Sequence, residues 1–186
     1  MTLRLVASIF VSALVASGCD STEPVAPVTC ATAPLSVRDV SVTTSQAANQ
    51  SSLVSVRYVG RLTNGAAFDS TRAGTVTTFS LQEVVTGFRL GIGGTDAFPE
   101  DQIPAIAPMR LGSRRVITIP PSLGYGGRAL TDRNGNVVLN SAGTPLIPAC
   151  STLIFDVTLV DFPQWPHATR AESAAVAPRP VLLDVR

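Results

Sequence analysis

Val54, Val56 and Tyr58 alternate with Ser55 and Arg57, the two-residue period of a strand with one apolar face, so Tyr58 points inward. Asn64-Gly65 follows and supplies residues that tolerate left-handed backbone. The chain is expected to reverse there and return through Phe68-Asp69, bringing that pair near Tyr58. Leu153, Phe155, Val157 and Leu159 share a face of the clearest strand, Thr152 to Val160, with Asp156 and Thr158 on the other face. Arg114 to Ile119 is a further strand, with Ile117 and Ile119 on one face and Pro120-Pro121 ending it. Leu35, Val37, Val40 and Val42 predict a first strand with an irregularity near Arg38-Asp39, and the β-branched run around Phe79 predicts a short one over Thr75 to Ser80. The period changes once. Val84 and Phe88 lie four apart and Val85 and Phe88 three apart, so Gln82 to Leu90 reads as a single short helix with all three on one face.

Gly87 inside that helix costs roughly 1 kcal/mol against Ala, which is sensible where another element packs closely. Gly91 and Gly93-Gly94 are read as the helix terminator. They follow the helix instead of preceding it, and no Lys accompanies them, so they do not form a phosphate loop. Asn134-Gly135 can head a small hairpin. Asp20 to Pro34 and the stretch after Phe162 lack sustained period and large apolar residues, and read as a tether and a tail.

At 186 residues and 45% apolar content the chain has room for one domain with extensions. Its 14 basic residues are all Arg, which excludes Schiff-base chemistry. His167, the single histidine, lies outside the patterned region, which excludes a Ser-His-Asp triad and a multi-His metal site in the core. The formal charge of +1 falls to 0 once Arg4 leaves with a signal, so no nucleic-acid partner is expected.

Met1 to Gly18 carries an early Arg and an apolar run from Leu5 to Val15, an export signal too short to span a bilayer. Ala16-Ser17-Gly18-Cys19 resembles the end of a bacterial lipoprotein signal, in which the Cys becomes the acylated first residue. The alternative is an ordinary cleaved signal with an incidental Cys. The expected organisation is a signal peptide over 1–18, a lipidated tether over 19–34, the domain over 35–162 and a tail over 163–186. The expected location is the cell envelope, facing the periplasm or the outside, with the choice of membrane left open. In that oxidising setting Cys30 and Cys150 are either a disulfide or two free thiols.

Tyr58-Val59-Gly60, Asn64-Gly65 and Phe68-Asp69-Ser70 resemble the opening signature of the FKBP-type peptidyl-prolyl isomerases. The ordered series continues through Val84-Val85-Phe88, Tyr125, Ile147 and Phe155, covering Leu53 to Phe162. The resemblance implies an α+β fold in which an antiparallel β-sheet curls around one short α-helix, with the pocket between them. It implies Phe68, Val84, Val85, Phe88, Ile147 and Phe155 as substrate-binding residues and Tyr58, Asp69 and Tyr125 as the catalytic polar groups. Substrates would be Xaa-Pro segments of unfolded or extended proteins, with macrolides as further ligands, a membrane partner through Cys19, no metal or organic cofactor, and a monomeric state. An FKBP-like chaperone or binding module with little catalysis is the alternative, and an envelope adaptor a third reading. Gly74 and Thr77 fall where relatives often carry an Arg and an aromatic, Phe88 where many have Trp, and Leu123 where an aromatic is common. Thr95 to Pro108 and Ala129 to Thr144 read as insertions that reshape the rim.

Overall fold

The computed structural model describes residues 28–101 and 103–163. Six antiparallel strands form one sheet: β1 (Ser36–Ser41), β2 (Leu53–Leu62), β3 (Ala67–Ser70), β4 (Thr77–Ser80), β5 (Arg114–Ile119) and β6 (Leu153–Asp161). Their order is β1-β5-β6-β2-β3, and β4 pairs the first half of β2. The one α-helix among the described residues, α1 (Thr86–Gly93), lies across the concave side.

Alternation decides which residues enter the core. On β6, Leu153, Phe155, Val157 and Leu159 are fully buried, while Ile154, Asp156, Thr158 and Val160 stay half-exposed on the convex face. The matching inward residues are Val54, Val56, Tyr58 and Gly60 on β2, and Ile117 and Ile119 on β5. The irregularity expected in the first strand is present, as a register shift between Asp39 and Ser41.

The helix is displaced from its expected bounds. Gln82 to Val85 belong to a turn, in which the Ser80 carbonyl accepts the Glu83 N–H and the Ser80 hydroxyl accepts the Gln82 N–H. Val85 has extended dihedrals (φ −55°, ψ 142°) and stands at the N-cap, its carbonyl accepting from Phe88 and Arg89. Val84 and Val85 therefore reach the core from the segment before α1, although all three apolar residues are buried. Nor does Gly91 end the helix. A Cβ on Gly87 would collide with Ile119, and one on Gly91 would come within 2.7 Å of Ile117, so both glycines let α1 lie directly on β5. The turn to the next segment falls to Gly94, at φ 78°.

Arg115 faces inward from β5 and is only 3% exposed. It donates to both carboxylate oxygens of Asp39 on β1, at 2.6 and 3.0 Å, and to the carbonyls of Gly91 and Ala107, at 2.8 and 2.7 Å. The Ile92 carbonyl accepts from the Met109 N–H. Carbonyls that a helix leaves unpaired at its C-terminus are thus satisfied by Arg115 of β5 and by the backbone of Met109. The segment expected as the second insertion, 129–144, forms two small turns, one around Asn134-Gly135 and one closed from Asn140 to Thr144, with bridges Thr131 to Val137 and Leu139 to Pro145.

Cys30 and Cys150 are joined in a disulfide, with Cα atoms 5.1 Å apart. Cys150 occupies the left-handed region (φ 58°) and donates its N–H to the Gly126 carbonyl, while the Val28 carbonyl lies against Gly127. The bond closes a separation of 120 residues, a constraint on the unfolded chain of about 5 kcal/mol at most.

Candidate functional site

The site begins with the β2–β3 hairpin. The Leu62 carbonyl accepts the Gly65 N–H, and the Asn64 side chain accepts the Ala66 N–H. Only Gly65 is left-handed (φ 86°); Asn64 is not, so the connection is a tight turn followed by a glycine bulge and not a two-residue turn. A second bulge follows within the paired strands: Gly60 faces Asp69, but Arg61 faces Ala67. Phe68 is left over. Consecutive strand residues ordinarily point to opposite faces, and this bulge lets both Phe68 and Asp69 serve the concave side. Gly60 provides the space, because a Cβ there would come within 2.6 Å of the Phe68 ring and 2.9 Å of Phe155.

Phe88 of α1 meets Phe155 of β6 edge to face at 5.0 Å, and Phe68 meets Phe155 edge to face at 5.5 Å. Tyr58 stands against both Phe88 and Phe155, at 6.4 and 6.2 Å. Val84, Val85 and Ile147 are buried in the same cluster, and Tyr125 packs against it half-buried. Edge-to-face ring pairs add about 0.5–1.5 kcal/mol each beyond the area they bury, so the aromatic lining is stiff as well as apolar. Phe79 of β4 completes it, 5.5 Å from Tyr58 and 5.9 Å from Phe88. It was not among the site residues expected from sequence, although its place in the Phe79-Ser80-Leu81 alternation signals an inward ring.

The Tyr58 hydroxyl donates to Oδ2 of Asp69 at 2.5 Å, and the Ser70 N–H donates to Oδ1 at 2.8 Å. The carboxylate is therefore held both by the core tyrosine and by its own turn. Thr71 secures the hairpin from the other side, taking the Tyr58 N–H on its hydroxyl and giving its own N–H to the Tyr58 carbonyl. Tyr125 sits on a loop begun by the 3-10 turn Pro121–Leu123, where the Pro121 carbonyl accepts the N–H groups of both Gly124 and Gly126. Burial pushes the Tyr58 phenol well above its ordinary value, with the hydrogen bond to Asp69 and its charge adding. Burial, then the Asp69 carboxylate, does the same to Tyr125. Both phenols are therefore neutral donors at any physiological pH, arranged around one carboxylate. Cys19 lies outside the described residues.

The site residues thus gather where one helix closes on the sheet, aromatic rings between them and two neutral phenols and a carboxylate at the edge. The sequence profile described as FKBP-type peptidyl-prolyl cis-trans isomerase matches residues 44–160, and the chain belongs to that family. FK506-binding protein 4 of Neurospora crassa is 36% identical over 129 residues, covering 68% of this chain and 22% of that protein. The chloroplastic peptidyl-prolyl cis-trans isomerase FKBP13 of Arabidopsis thaliana is 36% identical over 111 residues, covering 58% of this chain and 46% of that one. The match thus spans less than half the length of either curated relative. The crystal structure of AtFKBP13 is similar at a TM-score of 0.56 and 33% identity, over 69% of this chain and 93% of that one.

Proposed function

We propose that this domain catalyses cis-trans isomerisation of Xaa-Pro bonds in unfolded or extended exported proteins, acting as a monomer held to the envelope through an acylated Cys19. The observation that carries the reading is the Tyr58–Asp69 hydrogen bond at the edge of the Phe68–Phe88–Phe155 lining. No nucleophile is needed. The barrier is amide resonance, roughly 18–20 kcal/mol, and resonance places negative charge on the carbonyl oxygen. An apolar lining disfavours that charge-separated planar form and accepts the twisted amide, in which conjugation is lost.

In this mechanism the prolyl ring rests on Phe88 and Phe155, walled by Phe68, Val84, Val85 and Ile147. The Tyr125 hydroxyl orients the substrate backbone. Asp69, held by Tyr58 and the Ser70 N–H, shapes the field at the twisting carbonyl without moving. The insertions at 95–108 and 129–144 select among client chains, and macrolides that mimic a twisted prolyl segment would occupy the same floor.

NMR exchange between the cis and trans forms of a short Xaa-Pro peptide tests this. The protein, with its Cys30–Cys150 bond intact, accelerates exchange, and Asp69→Ala and Tyr125→Phe each lower the catalysed rate by about tenfold, or ~1.4 kcal/mol of barrier. Peptide binding with exchange at the uncatalysed rate would instead make the domain a chaperone or binding module.

A further inference from the structure

The convex face of the sheet takes no part in the site just described, yet it carries an organised charge pattern. Register places Arg57, Thr158 and Arg114 in one row across β2, β6 and β5, and Val59, Asp156, Val116 and Arg38 in the next, reaching β1. Arg61 lies in the third row, opposite Ile154. Asp156 lies among the arginines, with Asp161 further along β6 opposite Ser55, and Arg114 engages both oxygens of Asp156, at 2.8 and 2.6 Å. Hydrogen bonds from Arg114 hold Asp156 below the usual carboxylate range, and the charges of Arg38 and Arg61 lower it further. Arg38 and Arg57 are exposed and have no hydrogen bond or ion pair with another described residue, and Arg61 reaches only the Gly65 carbonyl, at 3.3 Å. Arg57, Arg72 and Arg114 border a shallow cleft of about 270 Å³ with Gly74 at its side.

Most other acids lie elsewhere: Asp96, Glu100 and Asp101 in the 95–108 segment, Asp132 in the 129–144 segment, Glu83 before α1, and Asp39 and Asp69 on the concave side. A nearly neutral chain is thus folded into a domain whose convex face sets four arginines, Arg38, Arg57, Arg61 and Arg114, against Asp156 and Asp161. Apolar residues accompany the arginines. Val40 and Val42 along the β1 edge are 45% and 66% exposed, and Val76, in the loop that carries Arg72, is 42% exposed.

We propose that the convex face docks on an anionic lipid surface, its arginines on headgroup phosphates and its edge valines at the interface. Guanidinium forks match phosphate oxygens two at a time, and a bilayer satisfies both the spread of charge and the flanking valines. A nucleic acid or an acidic peptide would use the charge and leave the valines in water. The inference stands apart from the isomerase reading, because none of these side chains reaches the concave site. It accords with an acylated Cys19, since the chain from Cys19 to Cys30 spans at most ~40 Å when extended.

The test is co-sedimentation of the full chain, carrying Cys19→Ser so that no acyl group contributes, with vesicles of phosphatidylcholine alone and of phosphatidylcholine mixed with phosphatidylglycerol. The readout is the ratio of the two affinities, which apolar leader contacts leave unchanged. Each arginine near an anionic surface strengthens binding roughly fivefold, so the mixed vesicles are preferred by at least about tenfold, less at high salt. Arg38→Gln/Arg57→Gln/Arg61→Gln loses this preference while keeping the thermal midpoint, and Arg128→Gln on the Tyr125 loop keeps it. Equal binding to both vesicles, or a preference that survives the triple substitution, overturns the proposal. So does duplex DNA that displaces the protein from mixed vesicles, or release by inorganic phosphate but not by chloride at matched ionic strength, which would mark a discrete phosphate pocket.

Discussion

Phe155 and Asp156 are neighbours on one strand and belong to two different surfaces. Phe155 sits at the centre of the aromatic lining, fully buried among Tyr58, Phe68 and Phe88. Asp156 stands on the convex face, gripped by Arg114 and ringed by further arginines. The concave side is organised by packing, where each ring fixes the next. The convex side is organised by register, since arginines far apart in sequence become neighbours only when β2 and β5 flank β6 and β1 pairs β5. Stability therefore belongs to one face, and long-range charge to the other.

The sharpest test of that division is a pair of substitutions on β6. Phe155→Ala is expected to destabilise the domain by about 3–5 kcal/mol, and Ile154→Ala, one residue away on the convex side, by about 1 kcal/mol. Denaturant midpoints read both directly, and equal losses would break the comparison. Next in size is Gly87→Ala. Its methyl group meets the stiff, branched Ile119 side chain, and lifting α1 from β5 costs about 1–3 kcal/mol despite the helix propensity gained.

A smaller effect, confined to alkaline solution, follows from the tyrosines. The chain has two, Tyr58 and Tyr125, and both have pKa values raised by burial above the ordinary 10.0. The neutral phenol is favoured in the fold, so its contribution to stability is complete below pH 10 and is lost as pH rises toward the folded pKa values. The near-UV tyrosinate band should therefore stay silent as pH passes 10 and appear together with unfolding. A component titrating at the free value would show that one ring is not packed as described. Smallest of all is Arg114→Gln, which removes an exposed ion pair and is expected to leave the thermal midpoint within scatter.

Much of the concave surface was readable because alternation is local. Tyr58 and Phe155 declare their inward direction within a few residues, and the Phe68-Asp69 pair was expected beside Tyr58 from the turn alone. The helix was placed too early because Val84 and Val85 share helical spacing with Phe88, and spacing cannot distinguish a buried turn from a first helical turn. Phe79 was missed as a site residue for a different reason. Its strand was expected, but that β4 pairs the first half of β2 and sets its ring beside Tyr58 is a tertiary fact. Arg115 was equally hidden: nothing in its neighbourhood reveals an inward guanidinium serving Asp39 and two carbonyls. The arginine rows of the convex face depend wholly on strand register, and a total charge of only +1 conceals them.

The disulfide changes how the domain carries mechanical load. β1 is an edge strand, held on one side by β5, and tension applied at its first residue would peel it away one hydrogen bond at a time. Cys30 precedes β1, and its bond to Cys150 diverts tension from the amino-terminal side into the segment just before β6. β6 lies between β5 and β2, so its hydrogen bonds on both sides share a pull along its length. Oxidation of this one pair therefore turns an unzipping geometry into a shearing one, and the strand that takes the strain is the one that carries Phe155.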